Sequence, residues 1–594
     1  MWALWQEVRR RNLHRVSAAY AVVAWVLIQV ASIVFPTFGI PGWALRLLIV
    51  LIFIGLPVIW AVLWHAIPLV GRDTDEGAPA ATLRHGEVVL ISLLGLVFIA
   101  TLAEFIVPGL HTNNAVQVPR GDAQDASIAV LAFNNMSEDR NNEYFSEGIS
   151  EELLNDLTQV RGLQVAARTS SFSFQGKSVT IGEIGRTLHV RTVLEGSVRR
   201  EGNRVRITAQ LISAQDGYHI WSQTYDREIA DIFAVQDEIS RAITKELTGR
   251  LLGRTRTRQL QINPSAYTAY LQGRFFLNRR NRADMQRARA YFEQALSLDA
   301  NYAEALASLA LTDALLVANG QDRKNLARAR QEADAAFRRT PDNFDALVSN
   351  GLVAEASWEW TAAQSIHRRL LARHPNTAEA RHFSGAFFET LQLPGRWLAE
   401  HERAVALDPL SPTDRGNIGE ALHVVGRDED AIPEYRKALT LDPDLAFALS
   451  GLCAAYADTG KFADARAILN DRLVAVDGAL GFYAIRCSAS IANHEPGARA
   501  ELLSIARDAE RGYAAGSVNA ALVGLIYASN GDFGAALDWF QKAINEHDLR
   551  FFQNTVEPGM QALKSDPRWQ TFMQQPALQE WTRVRQDIIA HGDK

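Results

Sequence analysis

Four prolines, Pro341, Pro375, Pro409 and Pro443, follow one another at intervals of 34 residues. A fixed period of that length accommodates a pair of helices with their turns, and is too short for a core of its own. In the same register Gly351, Gly385 and Gly419 stand 34 apart, and the next two steps land on Cys453 and Cys487. That slot admits only small side chains, as where two helices pack tightly. Ala363, Trp397, Ala431 and Ala465 fill a second slot, and His367, His401, Tyr435 and Leu469 a ring-shaped slot four residues later. Ala404 and Ala438 recur three positions further on. Each helix pair has an apolar face that only a neighbouring pair can cover, so the period predicts an all-α stack of seven or so units over about 266–557. Weaker copies stand at Ala288, Phe292 and Ala295 and at Gly524, Tyr527, Ala536, Phe540 and Ala543, and 558–594 reads as a helical cap.

This is the period of the tetratricopeptide repeat. Stacked pairs curve into a solenoid whose concave side is lined by the first helix of each pair, a surface that takes protein or peptide partners. In that family's register the groove-facing positions include Asp345, Glu355, His382, Glu389, Glu420 and His423. Cys453 and Cys487 are expected as small buried groups, unpaired. They are the chain's only cysteines, which excludes a disulfide framework and a Cys-rich metal site. His367 and His401 read as packed rings rather than metal ligands, since their slot takes Tyr in the next repeat. Arg274, Arg279, Arg280, Arg282, Arg287 and Arg289 crowd the first repeat and read as a solvated face, or as a surface for an acidic partner or anionic lipid.

Upstream, over 127–252, the pattern changes to a small α/β unit flanked by linkers at 112–126 and 253–265. Ile128 to Phe133 fits a buried strand, and Glu143 to Gln159 an amphipathic helix with Ile149, Leu153, Leu154 and Leu157 on its apolar face. A strand at Leu163 to Ala167 and a helix at Ile181 to Leu188 follow. Three strands come next: Thr192 to Val198, Arg204 to Ile212 and His219 to Tyr225, joined by turns at Gly202 and Gly217. Val205, Ile207, Ala209 and Leu211 alternate with Arg206, Thr208 and Gln210, giving one buried and one wet face. A helix from about Ile232 to Leu252 closes the unit. Gly176-Lys177-Ser178 ends like a phosphate-binding loop, yet Ser171 stands where the earlier glycine is required, so no nucleotide site is expected. Phe172 and Phe174 alternate as a strand edge would.

Several of these stretches resemble the TolB-like (also FlgO-like) amino-terminal domain. They are Ser127 to Leu131, Tyr144 to Ile149, Ala167 to Phe172, Val193 to Val198, Arg206 to Leu211 and Trp221 to Arg227. Residues 1 to 70, with Arg10-Arg11-Asn12 and Ala18 to Val30, are similar to the membrane segment that precedes this domain in many bacterial tetratricopeptide proteins. Some members of that family carry a cytoplasmic nucleotide cyclase or winged-helix DNA-binding domain; no such domain is read in this chain. The resemblance implies a bacterial envelope protein.

Apolar runs at 16–35, 44–70 and 88–107 are each long enough to cross a bilayer as a helix. Arg9, Arg10, Arg11 and Arg15 before the first run, and Arg72 and Arg84 between the second and third, place the N-terminus in the cytoplasm. The expectation is thus a membrane anchor over 1–111 in the inner membrane, with everything beyond about 111 extracytoplasmic. The full fold class expected is multidomain: three transmembrane helices, a small α/β TolB-like domain and an all-α tetratricopeptide solenoid.

The net charge of −6 gives no global basic field for nucleic acid. No His-Glu-x-x-His, Gly-x-Ser-x-Gly or Asp-rich calcium loop occurs, so no catalytic residue, cofactor or metal is expected. The function these features favour is a non-enzymatic membrane-anchored scaffold for protein or peptide partners. The alternative is a transmembrane sensor that relays groove binding to a separate cytoplasmic effector.

Overall fold

The computed structural model describes residues 126–160, 162–248, 263–318, 323–478, 481–555 and 560–592. All of these residues belong to one compact unit within 118–594.

The first part of this unit is a mixed sheet with helices. Its elements are β1 (Ser127–Val130), β2 (Asn134–Asn135), α1 (Glu143–Thr158), β3 (Gln164–Val165), α2 (Arg168–Phe172), α3 (Ile181–Leu188), β4 (Thr192–Glu201), β5 (Arg204–Ser213), β6 (His219–Glu228) and α4 (Ile232–Thr248). The sheet order is β3-β1-β4-β5-β6, with β2 paired to β4 off that path. β1 runs parallel to β3 and β4, while β4, β5 and β6 form an antiparallel meander. Glu201 pairs with Arg204 across a two-residue turn at Gly202, whose φ of +58° is a conformation that glycine adopts without strain. Val205, Ile207, Ala209 and Leu211 are buried and Arg204 and Arg206 exposed, as the alternation requires. Thr180 caps α3 with its side chain while Glu183 reaches back, a reciprocal capping box. One expectation fails locally. Phe172 ends the short helix α2 and Phe174 lies in the turn after it, because the chain here folds back onto the helical array rather than extending along the sheet.

Among the described residues eight helix pairs follow, against the seven or so read from the spacing. They are α5 (Pro264–Leu277) with α6 (Arg282–Leu298), α7 (Ala303–Ala318) with α8 (Leu326–Arg339), α9 (Phe344–Ala356) with α10 (Trp360–Arg373), and α11 (Ala378–Thr390) with α12 (Pro394–Leu407). Then come α13 (Pro412–Val424) with α14 (Asp428–Leu441), α15 (Ala446–Asp458) with α16 (Phe462–Ile468) and its continuation α17 (Val474–Asp477), α18 (Phe482–His494) with α19 (Arg499–Ala514), and α20 (Ala520–Ser529) with α21 (Phe533–Asn545). The cap comprises α22 (Arg550–Thr555), α23 (Gln561–Lys564), α24 (Pro567–Phe572) and α25 (Pro576–His591).

The slots explain the stacking. A Cβ at Gly351 would lie 3.1 Å from the His367 ring, one at Gly385 2.5 Å from His401 and one at Gly419 2.9 Å from Tyr435. The small slot of each first helix is thus the seat of the ring on its second helix. Where Leu469 replaces the ring, the slot accepts Cys453. Its counterpart Cys487 occupies the same position one repeat later, with the two Cα atoms 5.7 Å apart, and the two are joined by a disulfide. This corrects the expectation of unpaired thiols. The burial is as expected, but equivalent slots on neighbouring first helices face each other at bonding distance.

The three membrane-spanning helices expected find no support among the described residues. Among the described residues no helix is long and apolar enough to cross a membrane, and the runs 16–35, 44–70 and 88–107 lie outside the described residues. The fold class is corrected to a mostly helical repeat solenoid with a small mixed sheet, and the inner-membrane, extracytoplasmic placement loses its support with it.

Candidate functional site

The sheet part is packed on the first helices of the array. Ile149, Leu153 and Leu157 of α1 and Ile232, Val235, Ile239 and Ile243 of α4 share one apolar cluster with Tyr267, Leu271 and Phe292 of the first repeat. Helix α1 and α5 approach so closely that a Cβ on Gly148 would stand 2.8 Å from Leu271 Cδ2. A second contact is polar. Ser170, in α2, donates its backbone N–H to Asp408 Oδ1 at 3.0 Å and its hydroxyl to the same oxygen, while Leu410 N–H donates to Ser170 Oγ at 2.9 Å.

Between these two contacts lies a cavity of about 370 Å³. One wall is the C-terminal half of α1 with 165–168; the other is formed by α5, α7 and the N-terminal ends of α9 and α11. Arg274 crosses it. Its guanidinium donates to Glu151 Oε1 from Nε at 3.0 Å, to Asp345 Oδ2 from Nη1 at 2.7 Å, and to Ser308 Oγ. Arg168 Nε donates to the other oxygen of Glu151 at 3.0 Å and Asn278 Nδ2 at 2.7 Å. Burial alone would raise Glu151, but Arg274 and Arg168 overcome it and hold the carboxyl down at about 2. Glu152, one residue on, has Tyr270 Oη donating to it at 3.1 Å, and burial beside Asp156 pushes it up to about 8. Burial, with Glu379 and Asp414 nearby, likewise lifts Asp408 to about 7. The cavity thus mixes fixed charges with a carboxyl, Glu152, that holds its proton at neutral pH, and Asp408 titrates just outside its lining.

The groove positions read from the sequence divide among several environments. Asp345 lines this cavity and accepts from Arg274 and Ser308. Glu355 is buried against His367, with Oε1 and Nε2 2.8 Å apart. His382 is half-buried beside Asp414, which both it and His401 approach through Nδ1 at 2.8 Å. Glu389 is half-buried and its field reaches Tyr483. Glu420 is buried, accepting from Tyr435 Oη at 2.8 Å and from Arg486. His423 is buried at the far end of its helix, 2.5 Å from Asp428. Only Asp345 lines the cavity; the others are spread along the first helices and hold charged or ring partners of the array itself.

What the sequence left unread is the other wall. Glu147 and Glu151 are acids on the otherwise apolar face of α1, and Arg168 stands in a stretch already singled out for its family resemblance. Two acids four residues apart on a buried helix face were a legible sign of basic partners to come. Of the six arginines in the crowd, Arg274 is buried in the cavity, Arg280 lines it, Arg279 and Arg287 neighbour Asp284, and Arg289 reaches Glu293 and Asp313.

Residues 415–445, which are α13, α14 and the turns around them, match the tetratricopeptide repeat family. That stretch is a tetratricopeptide repeat. The array around it is a mostly helical, tetratricopeptide-like solenoid. A protein of Rhizobium meliloti (strain 1021) provisionally named adenylate cyclase 3 is 41% identical over 231 residues, which is 38% of this chain and 39% of that protein. The chain therefore spans well under half the length of this curated relative. Among solved structures, a thermophilic tetratricopeptide protein of Thermus thermophilus is 19% identical, covering 34% of this chain and 98% of its own, with a TM-score of 0.27. A tetratricopeptide repeat protein from Parabacteroides merdae ATCC 43184 is 13% identical over 51% of this chain and all of its own, with a TM-score of 0.29. At those scores the likenesses add nothing to what the period and the paired helices already establish.

Proposed function

We propose that the protein is a non-enzymatic interaction scaffold whose seat for a protein or peptide partner is the cavity between α1 and the first four repeats. The observation that carries this reading is the joint lining. A pocket walled by two parts of the fold, with charged, aromatic and apolar groups converging on it, suits an extended segment better than a small apolar ligand. The sheet part is the TolB-like docking module of the resemblance, and it completes the groove instead of standing apart from it. No cofactor, nucleotide or nucleic acid is required, and the net charge of −6 runs against the last of these.

A second reading is favoured by the name of the Rhizobium relative: a signalling component that passes groove occupancy to a separate effector. The two make different demands on the cavity, since a scaffold needs capture alone and a relay needs capture to change a second protein's output. The test is photo-crosslinking in intact cells with a reactive side chain at Thr377, on the cavity rim, followed by mass spectrometry. One reproducible protein partner, lost when Glu379 is changed to Lys, is the expected result. Capture that ignores the Glu379→Lys change would place the working surface elsewhere.

A further inference from the structure

At the edge of the array where first helices turn into second helices, three side chains from two successive repeats converge, and a fourth, from the next repeat, stands against one of them. His423 ends α13, Asp428 begins α14, Asp458 ends α15 and His494 ends α18. His423 Nδ1 lies 2.5 Å from Asp428 Oδ1 and 3.9 Å from Asp458 Oδ2, and His494 Nε2 lies 2.8 Å from Asp458 Oδ1. The donor atoms of His423, Asp428 and Asp458 all fall within 4.8 Å of one another.

Charge makes this cluster unlike the other ion pairs of the array. Both carboxylates are largely buried, at 15% and 16% side-chain exposure, and they face each other across the imidazole. Among the described residues neither is ion-paired with an arginine or lysine; the adjacent Arg427 and Lys461 turn instead to Asp430 and Glu429. Two largely buried carboxylates that face one another without an arginine or lysine partner suit a bound cation. The His382, His401 and Asp414 group differs: there a single carboxylate is approached by both rings, and its second oxygen accepts from Ser411.

We propose that His423, Asp428 and Asp458, with His494 closing from the solvent side, bind one divalent transition cation of the zinc class. Two imidazole nitrogens and two carboxylate oxygens are the donor set such ions take in four-coordinate sites, and imidazole selects against calcium and magnesium. For His423, Asp428 and Asp458, whose donor atoms lie within 4.8 Å of one another, bonds of about 2.0–2.2 Å need only side-chain adjustment, while His494 would turn from its contact with Asp458 to complete the set. His494, exposed at 44%, leaves a path for entry. The ion would fasten repeats five, six and seven along one edge, while the disulfide joins six and seven along their first helices.

The test uses the full chain without an affinity tag, stripped with chelator and titrated with Co²⁺ and then Zn²⁺. Expected are one Co²⁺ per chain with the visible absorption of a four-coordinate site, its displacement by Zn²⁺, and a higher melting temperature when loaded. His494→Ala, a half-exposed position, should weaken Co²⁺ binding at least tenfold without unfolding the array, and Asp458→Asn should do the same, as loss of a metal's protein contacts does. His382→Ala should leave the affinity unchanged. Absence of a Co²⁺ spectrum at micromolar protein, or binding indifferent to His494→Ala, or binding lost only in His382→Ala, would overturn the assignment.

Discussion

The two ends of the repeat array are held together by different physics. Repeats one to three share their apolar cluster with the sheet part and are laced by buried charge, with Arg274 between Glu151 and Asp345. From α10 onward a second cluster runs continuously to α25, rich in Ala and aromatic rings, and the cap returns to the middle of the array. Trp581 Nε1 donates to Thr390 O at 3.1 Å, and Phe552 lies 4.9 to 5.1 Å from the rings of Trp358, Trp360 and Trp581. The far end buries charge too, Glu420 with Arg486, but within the array, and its interlocked rings hold shape. A polar end, where charges are matched across two parts of the fold, can instead discriminate among partners.

The contrast can be broken at either end. Phe552→Ala empties a fully buried site in the aromatic knot, and a loss of about 3–5 kcal/mol is expected by calorimetric unfolding. Arg274→Ala leaves Glu151 and Asp345 buried without their cation and should also cost about 3–5 kcal/mol, most of it recovered if Glu151 is changed to Gln in the same chain. Replacing both Cys453 and Cys487 by Ala keeps the small slot filled and removes only the cross-link, worth about 2–4 kcal/mol, and the wild type under reductant should show the same loss. Gly148→Ala presses a methyl on Leu271 and should cost about 1–3 kcal/mol, with earlier proteolysis between the sheet part and the array.

The smallest effect is in pH. Glu152 and Asp408 sit at about 8 and about 7 in the folded chain, above the ordinary carboxyl range, so folding takes up protons. Their contribution is fully present below the ordinary range and is lost as pH rises through those values. Melting temperature should therefore fall from about pH 4 to about pH 8, and Glu152→Gln should flatten the upper part of the fall. A Glu152→Gln chain with the same slope would place the titration elsewhere.

Much of this architecture was legible because it repeats. The 34-residue period located the helix pairs, and the alternation in Arg204 to Ser213 gave the face of β5, since both patterns are set by local geometry. The docked wall was not legible. Arg168 and Ser170 meet Glu151 and Asp408 only after the chain returns, and no period links positions 238 residues apart. Cys453 and Cys487 show the same limit in miniature: the slot was readable as small and buried, but the bond depends on which way two neighbouring helices face.

The sheet part and the first repeats are one body enclosing one cavity. Native-state hydrogen exchange on the full chain tests it directly. If they share a core, amides of α1 and α4 will exchange with the same opening free energy as those of α5 and α7, and Arg274→Ala will lower all four together. Exchange of α1 and α4 at a free energy of their own, unmoved by Arg274→Ala, would contradict it.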